Sequence, residues 1–436
     1  MKKVITYGTF DLLHNGHIRL LERAKALGDY LIVGVTSDDF DRRRGKINVQ
    51  QTLNERIEAV KELGLADLII VEEYEGQKVD DIKRYGVDIF TLGSDWEGKF
   101  DYLKEYCEVI YLPRTEGISS SDIRSIQGQL KMGLVGDDAS FLSKFQKEDK
   151  YVNGLKIIGI CTDNIDEMSD EIKELPIITN DIDILLKEVD AIYIKDKFDN
   201  RYEIIKKALK KGKSVLFGNP LAFTEKECTE LFKLASKNKC ILMEGIRTAY
   251  STAYQRLLLL IKSGKIGKVM SVDSVVTSMK KNSKKYDSLY EWGNVALLPI
   301  LQILGTDYKK KDIISHIDNG DLYTKINFVY PSSVASIVVA EGAKSEGQLI
   351  VSGTEGYIYV PAPWWKTDYF EIRYENSEKN ERYFYQLDGE GIRYCLLAFS
   401  RAVSTGKNNS YVDRNVSSAI CKIMEDFKNG VDLINI

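Results

Sequence analysis

His14 and His17 lie three residues apart in the stretch Gly8-Thr9-Phe10-Asp11-Leu12-Leu13-His14-Asn15-Gly16-His17, and the chain of 436 residues has three histidines in all. Two imidazoles on one side of a helix entrance are N–H donors that can follow charge developing on a phosphoryl group in transfer. Gly8 is expected to let the chain turn sharply and approach a phosphate. Gly16 is expected to keep the helix entrance open, so that its first backbone N–H groups meet an anion. A lone histidine near a helix start is usually an ordinary surface or core residue. The Gly-flanked H-x-G-H favours chemistry.

The elements that must position this pair are a strand at Lys3–Tyr7 and a helix at His17–Leu27, whose apolar Ile18, Leu20, Leu21, Ala24 and Leu27 recur at helical spacing. Further strand-like runs at Tyr30–Thr36, Leu68–Val71, Ile89–Leu92 and Val109–Leu112 alternate with helical patterns, which predicts a doubly wound parallel sheet. Ligands of such sheets sit beyond the carboxyl ends of the strands, and the polar signals gather there. The second strand is followed by Arg42-Arg43-Arg44-Gly45-Lys46, which alone would be a solvated charge run. After the fourth comes Gly93-Ser94-Asp95-Trp96-Glu97-Gly98-Lys99-Phe100-Asp101. Asp95 there can accept from an exocyclic amine or a ribose hydroxyl, and Trp96 offers a flat wall to a base. The plain alternative is a capped turn with a buried tryptophan. After the fifth strand, Pro113-Arg114-Thr115-Glu116-Gly117-Ile118-Ser119-Ser120-Ser121 opens another helix. Its hydroxyls and free N–H groups suit phosphate oxygens, and Arg114 can neutralise a triphosphate or departing pyrophosphate.

These motifs resemble the cytidylyltransferase branch of the nucleotidyltransferase superfamily, and from Met1 to about Arg124 the chain is similar to the glycerol-3-phosphate cytidylyltransferases. The match includes that family's G-x-D-W-E-G-K-F-D and R-T-E-G-I-S-T-T segments. The resemblance implies transfer of CMP from CTP to a polyol phosphate, glycerol 3-phosphate first, for a cell-surface polymer of the teichoic acid type. It assigns His14, His17, Lys46 and Arg114 to catalysis, and Gly8, Thr9, Phe10, Asp11, Gly16, Gly93, Asp95, Trp96 and the segment Arg114, Thr115, Gly117, Ile118, Ser119, Ser120, Ser121 to the nucleotide. Arg44, Lys46 and Lys78 fall to the acceptor. The substrate phosphate is already an anion, so no protein nucleophile is needed. Mg2+ is expected to arrive with the nucleotide, without an all-carboxylate site of its own. One departure concerns the acceptor: the family's Arg-Tyr-Val-Asp is Gly64-Leu65-Ala66-Asp67 here.

A short polar junction near Ser125–Leu130 leads to a second alternating run, with strands at Lys131–Val135, Leu155–Cys161, Ala191–Ile194 and Ser214–Phe217 and helices at Phe141–Phe145, Asp181–Lys187 and Tyr202–Lys210. Beyond Lys268 successive β-rich runs predict a large, mainly antiparallel sheet. The order resembles the glucose-fructose oxidoreductase and inositol dehydrogenase family. The expected organisation is therefore α/β: a nucleotidyltransferase domain at 1–128, a Rossmann-like domain at 129–248 and an α+β domain at 249–436. That family's motifs are altered. Its G-x-G-x-x-G is Gly136-Asp137-Asp138-Ala139-Ser140-Phe141, where Asp138 would repel a pyrophosphate. Asp163 stands one position late for a ribose ligand, Glu-Lys-Pro has become Gly218-Asn219-Pro220, and no histidine lies in Trp292–Leu298. The remaining His316 is elsewhere. NAD or NADP is therefore not expected, and the second half is expected to be a structural or ligand-binding module. Pro361–Lys366, with Trp364 and Trp365, either walls a cleft or covers the sheet. Lys280–Lys285 is expected to be a solvated loop.

Net charge is −4 with acidic and basic residues nearly balanced, which argues against nucleic-acid partners. Six scattered cysteines without C-x-x-C spacing argue against a zinc site or disulfide framework. No apolar run approaches the roughly 20 residues of a membrane helix, so a cytoplasmic protein without membrane insertion is expected. Resemblance to oligomeric families predicts a homodimer or larger assembly. Two competing readings are a bifunctional enzyme whose second half oxidises or reduces the polyol, and a non-enzymatic scaffold.

Overall fold

The computed structural model describes residues 2–13, 15–43, 49, 51–74, 76–113, 129–152, 154–195, 198–218, 220–279, 288–317, 320–408 and 410–436, with the side chains of Asn15, Arg42, Arg43, Asp95, Phe198 and Asp199 outside the description. The chain divides into two compact units, Met1–Gln129 and Leu130–Ile436.

In the first unit β1 (Lys3–Gly8), β2 (Tyr30–Thr36), β3 (Leu68–Glu72), β4 (Ile89–Gly93) and β5 (Glu108–Leu112) form one parallel sheet in the order β3-β2-β1-β4-β5. Helices α1 (Asn15–Lys25), α2 (Asp38–Arg43), α3 (Leu53–Glu62) and α4 (Gln77–Tyr85) join the strands. The central strands β1, β2 and β4 are buried on both faces, as their near-continuous apolar runs require, while the edge strands β3 and β5 are mostly half-buried. Val4, Leu31 and Val33 pack with Leu21 and Ala24 of α1 on one side, and Ile5, Ile32 and Phe90 pack with Ile82 of α4 on the other. Helix α3 starts at a capping box in which Thr52 and Glu55 satisfy each other's backbone N–H groups. The strand order reverses between β1 and β4, which opens a crevice at their carboxyl ends.

The second unit repeats this plan. Strands β6 (Leu130–Val135), β7 (Leu155–Cys161), β8 (Ile177–Thr179), β9 (Ala191–Ile194), β10 (Ser214–Phe217) and β11 (Leu242–Glu244) run parallel in the order β11-β10-β9-β6-β7-β8. Here the reversal falls between β6 and β9. Helix α5 (Ala139–Glu148) follows β6.

A nine-stranded sheet completes this unit: β12 (Val269–Ser278), β13 (Lys310–Ile317), β14 (Asp321–Val329), β15 (Val334–Glu341), β16 (Leu349–Gly353), β17 (Tyr357–Val360), β18 (Tyr369–Arg373), β19 (Glu381–Phe384) and β20 (Leu433–Asn435). It is mainly antiparallel, but β12 pairs with β15 and β13 with β20 in parallel. The apolar helix Ser288–Leu304 packs on β12, β14 and β15. Strands β8, β11, β13, β19 and β20 are not among the strands expected from the residue pattern. The three-residue strands are too short for a periodic signal, and β13 opens on the charged run Lys310-Lys311-Asp312. Among the described residues no helix is long and apolar enough to cross a membrane.

Candidate functional site

The first crevice is entered by the turn after β1. Its left-handed residues are Phe10 (φ 52°) and Leu12 (φ 49°), so the expectation that Gly8 makes the sharp turn is corrected. Gly8 ends β1 and is small for a different reason: a Cβ there would lie 2.9 Å from the Phe10 ring, which folds back over the strand end. The Phe10 ring then meets the His17 imidazole edge-on, at 5.5 Å between centroids. The turn is held from several sides. Asp11, buried, accepts from the Gln51 backbone N–H at 3.0 Å, and the Gln51 side chain accepts from the Leu12 N–H at 2.7 Å. Thr9 donates its hydroxyl to Asp41 at 3.1 Å. Fully buried Arg56 donates to the carbonyls of Thr9 and Thr36 at 2.7 and 2.8 Å and pairs with Asp38. A buried guanidinium with this many partners fixes the turn against the ends of β1 and β2.

His17 and Gly16 lie in the first turn of α1, at the helix entrance. His14 lies outside the described residues, as do Arg44, Lys46, Arg114, Thr115, Gly117, Ile118, Ser119, Ser120 and Ser121. Across the crevice, β4 ends at Gly93 and passes into a short helical turn, Ser94–Trp96. Trp96 is 44% exposed, so the alternative of a buried tryptophan fails. Its ring leans on Phe100 with centroids 5.7 Å apart, and the Lys99 ammonium sits over it at 5.0 Å from the centroid. The entrance of α1, with Gly16 and His17, and the Ser94–Trp96 turn thus flank the same β1/β4 reversal.

Lys78 is buried, paired with Glu72 at the end of β3, and lies 4.6 Å from the Tyr7 ring centroid. Glu72 also accepts from the Thr36 hydroxyl at 2.9 Å, while Tyr7 donates to Asp81 at 2.9 Å. Burial, with the carboxylate of Asp81 next, drives the Tyr7 phenol far above its ordinary range, so it remains a donor. Sequence reasoning missed Arg56, Glu72 and Asp81. All three are strand-end or helix residues whose partners come from distant segments. Among the described residues no cluster of three or more His, Cys, Asp or Glu could hold a metal ion.

The second crevice holds a cavity of about 450 Å3. Asp138 caps α5 by accepting from the Phe141 N–H at 3.0 Å, so a carboxylate already fills the anion position at the helix N-terminus. Asp137 accepts from the Thr162 hydroxyl at 2.8 Å and from the Asp163 N–H at 3.1 Å. Both carboxylates of this turn are thus engaged by donors at the carboxyl ends of β6 and β7, Asp138 at the helix N-terminus and Asp137 at the neighbouring strand. Asn219 lies outside the described residues. His316 is on β13, where its Nδ1 meets the Ile436 carbonyl oxygen at 2.9 Å.

The cavity is lined by residues that the motif comparison passed over, chiefly Lys195 after β9, Lys144 of α5, Arg247, Glu291 and Trp292. Lys195 had a signal: it follows a clear strand at the carboxyl end. Trp364 and Trp365 divide the two roles expected of their segment. Trp364 is fully buried and donates to the Val275 carbonyl at 3.1 Å, covering the sheet, while Trp365 lines the cavity. The Lys280–Lys285 run lies outside the described residues. Deeper in this unit, burial raises the Glu244 carboxyl to about 7, although Ser417 and Asn294 beside it favour the ionised form.

Comparison with known proteins agrees with this division. Residues 5–126 match the cytidylyltransferase-like family, and residues 131–246 match the oxidoreductase family with an NAD-binding Rossmann fold. The chain is 52% identical over 130 residues to a glycerol-3-phosphate cytidylyltransferase of Bacillus spizizenii, covering 30% of this chain and 100% of that one. A glycerol-3-phosphate cytidylyltransferase of Staphylococcus aureus is 49% identical over 139 residues, covering 32% and 99%. Among solved structures, KijD10, a 3-ketoreductase from Actinomadura kijaniata in complex with TDP-benzene and NADP, superposes with a TM-score of 0.62 at 16% identity, covering 71% of this chain and 100% of that one. That likeness concerns the fold alone.

Proposed function

The chain belongs to the cytidylyltransferase family through its first unit, and from that premise we propose that it transfers CMP from CTP to glycerol 3-phosphate, giving CDP-glycerol and pyrophosphate. The first unit is a nucleotidyltransferase, and the second has an oxidoreductase-like fold. The observation that carries the reading is the convergence of the α1 entrance, with Gly16 and His17, and the Gly93–Asp101 motif on one β1/β4 reversal.

A phosphate oxygen of the acceptor attacks the α-phosphorus of the nucleotide. The bond from that phosphorus to the bridging oxygen breaks, and pyrophosphate leaves. His17, with His14, donates to the phosphoryl oxygens as charge develops, and Arg114 with the 115–121 segment holds the triphosphate and the leaving group. Asp95 and Trp96 receive the cytosine end, while Arg44, Lys46 and Lys78 draw the acceptor phosphate. The buried Glu72 holds Lys78 at the strand end, which supports a positioned cation in place of a mobile one. In the turn after β1 the Asp11 carboxylate is engaged by Gln51, so Mg2+ would be held by the triphosphate, with water completing its shell.

The second unit, read as domains 129–248 and 249–436, serves as a ligand-binding or structural module in a homodimer or larger cytoplasmic assembly. The Asp138 cap supports this reading over a bifunctional enzyme with an NAD(P)-dependent half. Pyrophosphate release, measured across the common nucleoside triphosphates and a panel of polyol phosphates, tests the proposal. CTP with glycerol 3-phosphate should be fastest. Equal rates with ATP would remove the cytidylyl assignment, and preference for another polyol phosphate would replace the acceptor. Light scattering that gives a monomer would overturn the assembly.

A further inference from the structure

The cavity at the β6/β9 reversal is divided electrically. At one end Lys144 and Arg247 line it, and behind them both share with Lys366 the single carboxylate of Glu390, at 3.0, 3.2 and 3.0 Å. Burial works to raise the Glu390 pKa, but Lys144 and Lys366 bring it down to about 2, so it is ionised and faces three cations. At the other end the Lys195 ammonium lies 3.7 Å from Asp138 and 3.8 Å from Glu291. Both distances are too long for hydrogen bonds, so donors and acceptors there keep capacity for a ligand. Between the ends are aromatic walls. Trp292 and Trp365 have centroids 5.9 Å apart, and the Phe141 ring lies 4.1 Å from the Lys195 ammonium. The Trp292 indole nitrogen is buried and has no hydrogen-bond partner among the described residues.

We infer that this cavity binds a small phosphorylated polyol, its phosphate at the Lys144–Arg247 end and its hydroxyls among Lys195, Asp138 and Glu291. Three cations on one carboxylate call for an anion. Two carboxylates with a lysine between them call for hydroxyl groups, which both donate and accept. Indole faces suit the C–H surface of the carbon chain. A volume of about 450 Å3 is of small-molecule size, and the Asp138 carboxylate opposes a longer pyrophosphate ligand. The ligand class coincides with the acceptor proposed for the first unit; only the choice of probe rests on that reading.

The chain's four tryptophans permit a test in the full-length protein. In Trp96→Phe the remaining three, Trp292, Trp364 and Trp365, all belong to the second unit, so fluorescence reports there alone. Glycerol 3-phosphate should give a saturable fluorescence change. In the same background Lys195→Met should weaken it at least tenfold and Lys195→Arg should largely restore it, with circular dichroism unchanged in both. Inorganic phosphate, glycerol and gluconate should each bind at least tenfold more weakly. An unchanged signal with glycerol 3-phosphate, an equal response in Lys195→Met, or equal binding of phosphate or gluconate would each overturn the inference. Lys195→Met in an otherwise unaltered chain should transfer CMP normally. Loss of pyrophosphate release with the fluorescence response intact would count against the transferase reading alone.

Discussion

The two crevices of this chain are built alike and furnished differently. In each, a central parallel strand ends at a reversal of strand order and passes through a short turn into a helix. In the first, the turn carboxylate Asp11 is drawn aside by the Gln51 N–H, and the side chain in the first turn of the helix is an imidazole. In the second, Asp138 folds onto the helix N-terminus itself and Asp137 onto the next strand end. Topology sets where a ligand can lie, whereas the fate of one or two carboxylates in the turn decides whether the helix N-terminus itself is open to an anion.

The sharpest way to break this contrast is to clear the second turn. Wild-type protein should show no useful affinity for NAD or NADP by titration calorimetry. Asp138→Gly should admit one of them with a gain approaching a thousandfold, since a like-charge pair at about 4 Å and an effective dielectric of about 20 costs about 4 kcal/mol. Micromolar binding by the wild type would show that the second unit is an unusual dehydrogenase and would revive the bifunctional reading.

Conversely, His17→Ala should strip the first crevice of its donor. Turnover should fall at least a hundredfold, because a donor to the transition state is typically worth about 3 kcal/mol, while circular dichroism stays native. Near-normal turnover in a folded variant would sink the motif's assignment.

A third test concerns the cost of carrying a buried carboxyl beneath the second crevice. Glu244 has a folded pKa of about 7, above its unfolded value. The folded state therefore binds the extra proton between those two values, and stability should fall as pH rises through that window. The span corresponds to a loss on the order of 3 kcal/mol, and Glu244→Gln should flatten the profile in denaturant titrations from about pH 5 to about pH 8. A pH-independent wild type would contradict the assignment.

The smallest effect is expected at Gly8. Gly8→Ala places a methyl group against the Phe10 ring and should destabilise by about 1–3 kcal/mol, with a lowered Tm and weaker transfer. An unchanged melting curve would mean that the ring moves freely and does not brace the turn.

Much of this architecture was legible in the residues. The apolar runs at Tyr30–Thr36, Leu155–Cys161, Ala191–Ile194, Ser214–Phe217 and Tyr357–Val360 coincide with strands, because strands buried on both faces, or alternating against one core, leave a direct hydrophobic trace. The H-x-G-H and G-x-D-W-E-G-K-F-D spacings also sufficed to name the family, since each motif is confined to one short stretch of chain. Only the tertiary structure decided the rest. The positive φ of Phe10 and Leu12 comes from packing that overrides the glycines nearby, and the Arg56 brace joins segments separated by dozens of residues. The second cavity gathers Lys144, Lys195, Arg247, Glu291 and Trp365 from five stretches of chain, none of which forms a local motif. Spacing along the chain records chemistry confined to one turn. Long-range packing leaves no such record, because its partners become neighbours only when the sheets assemble.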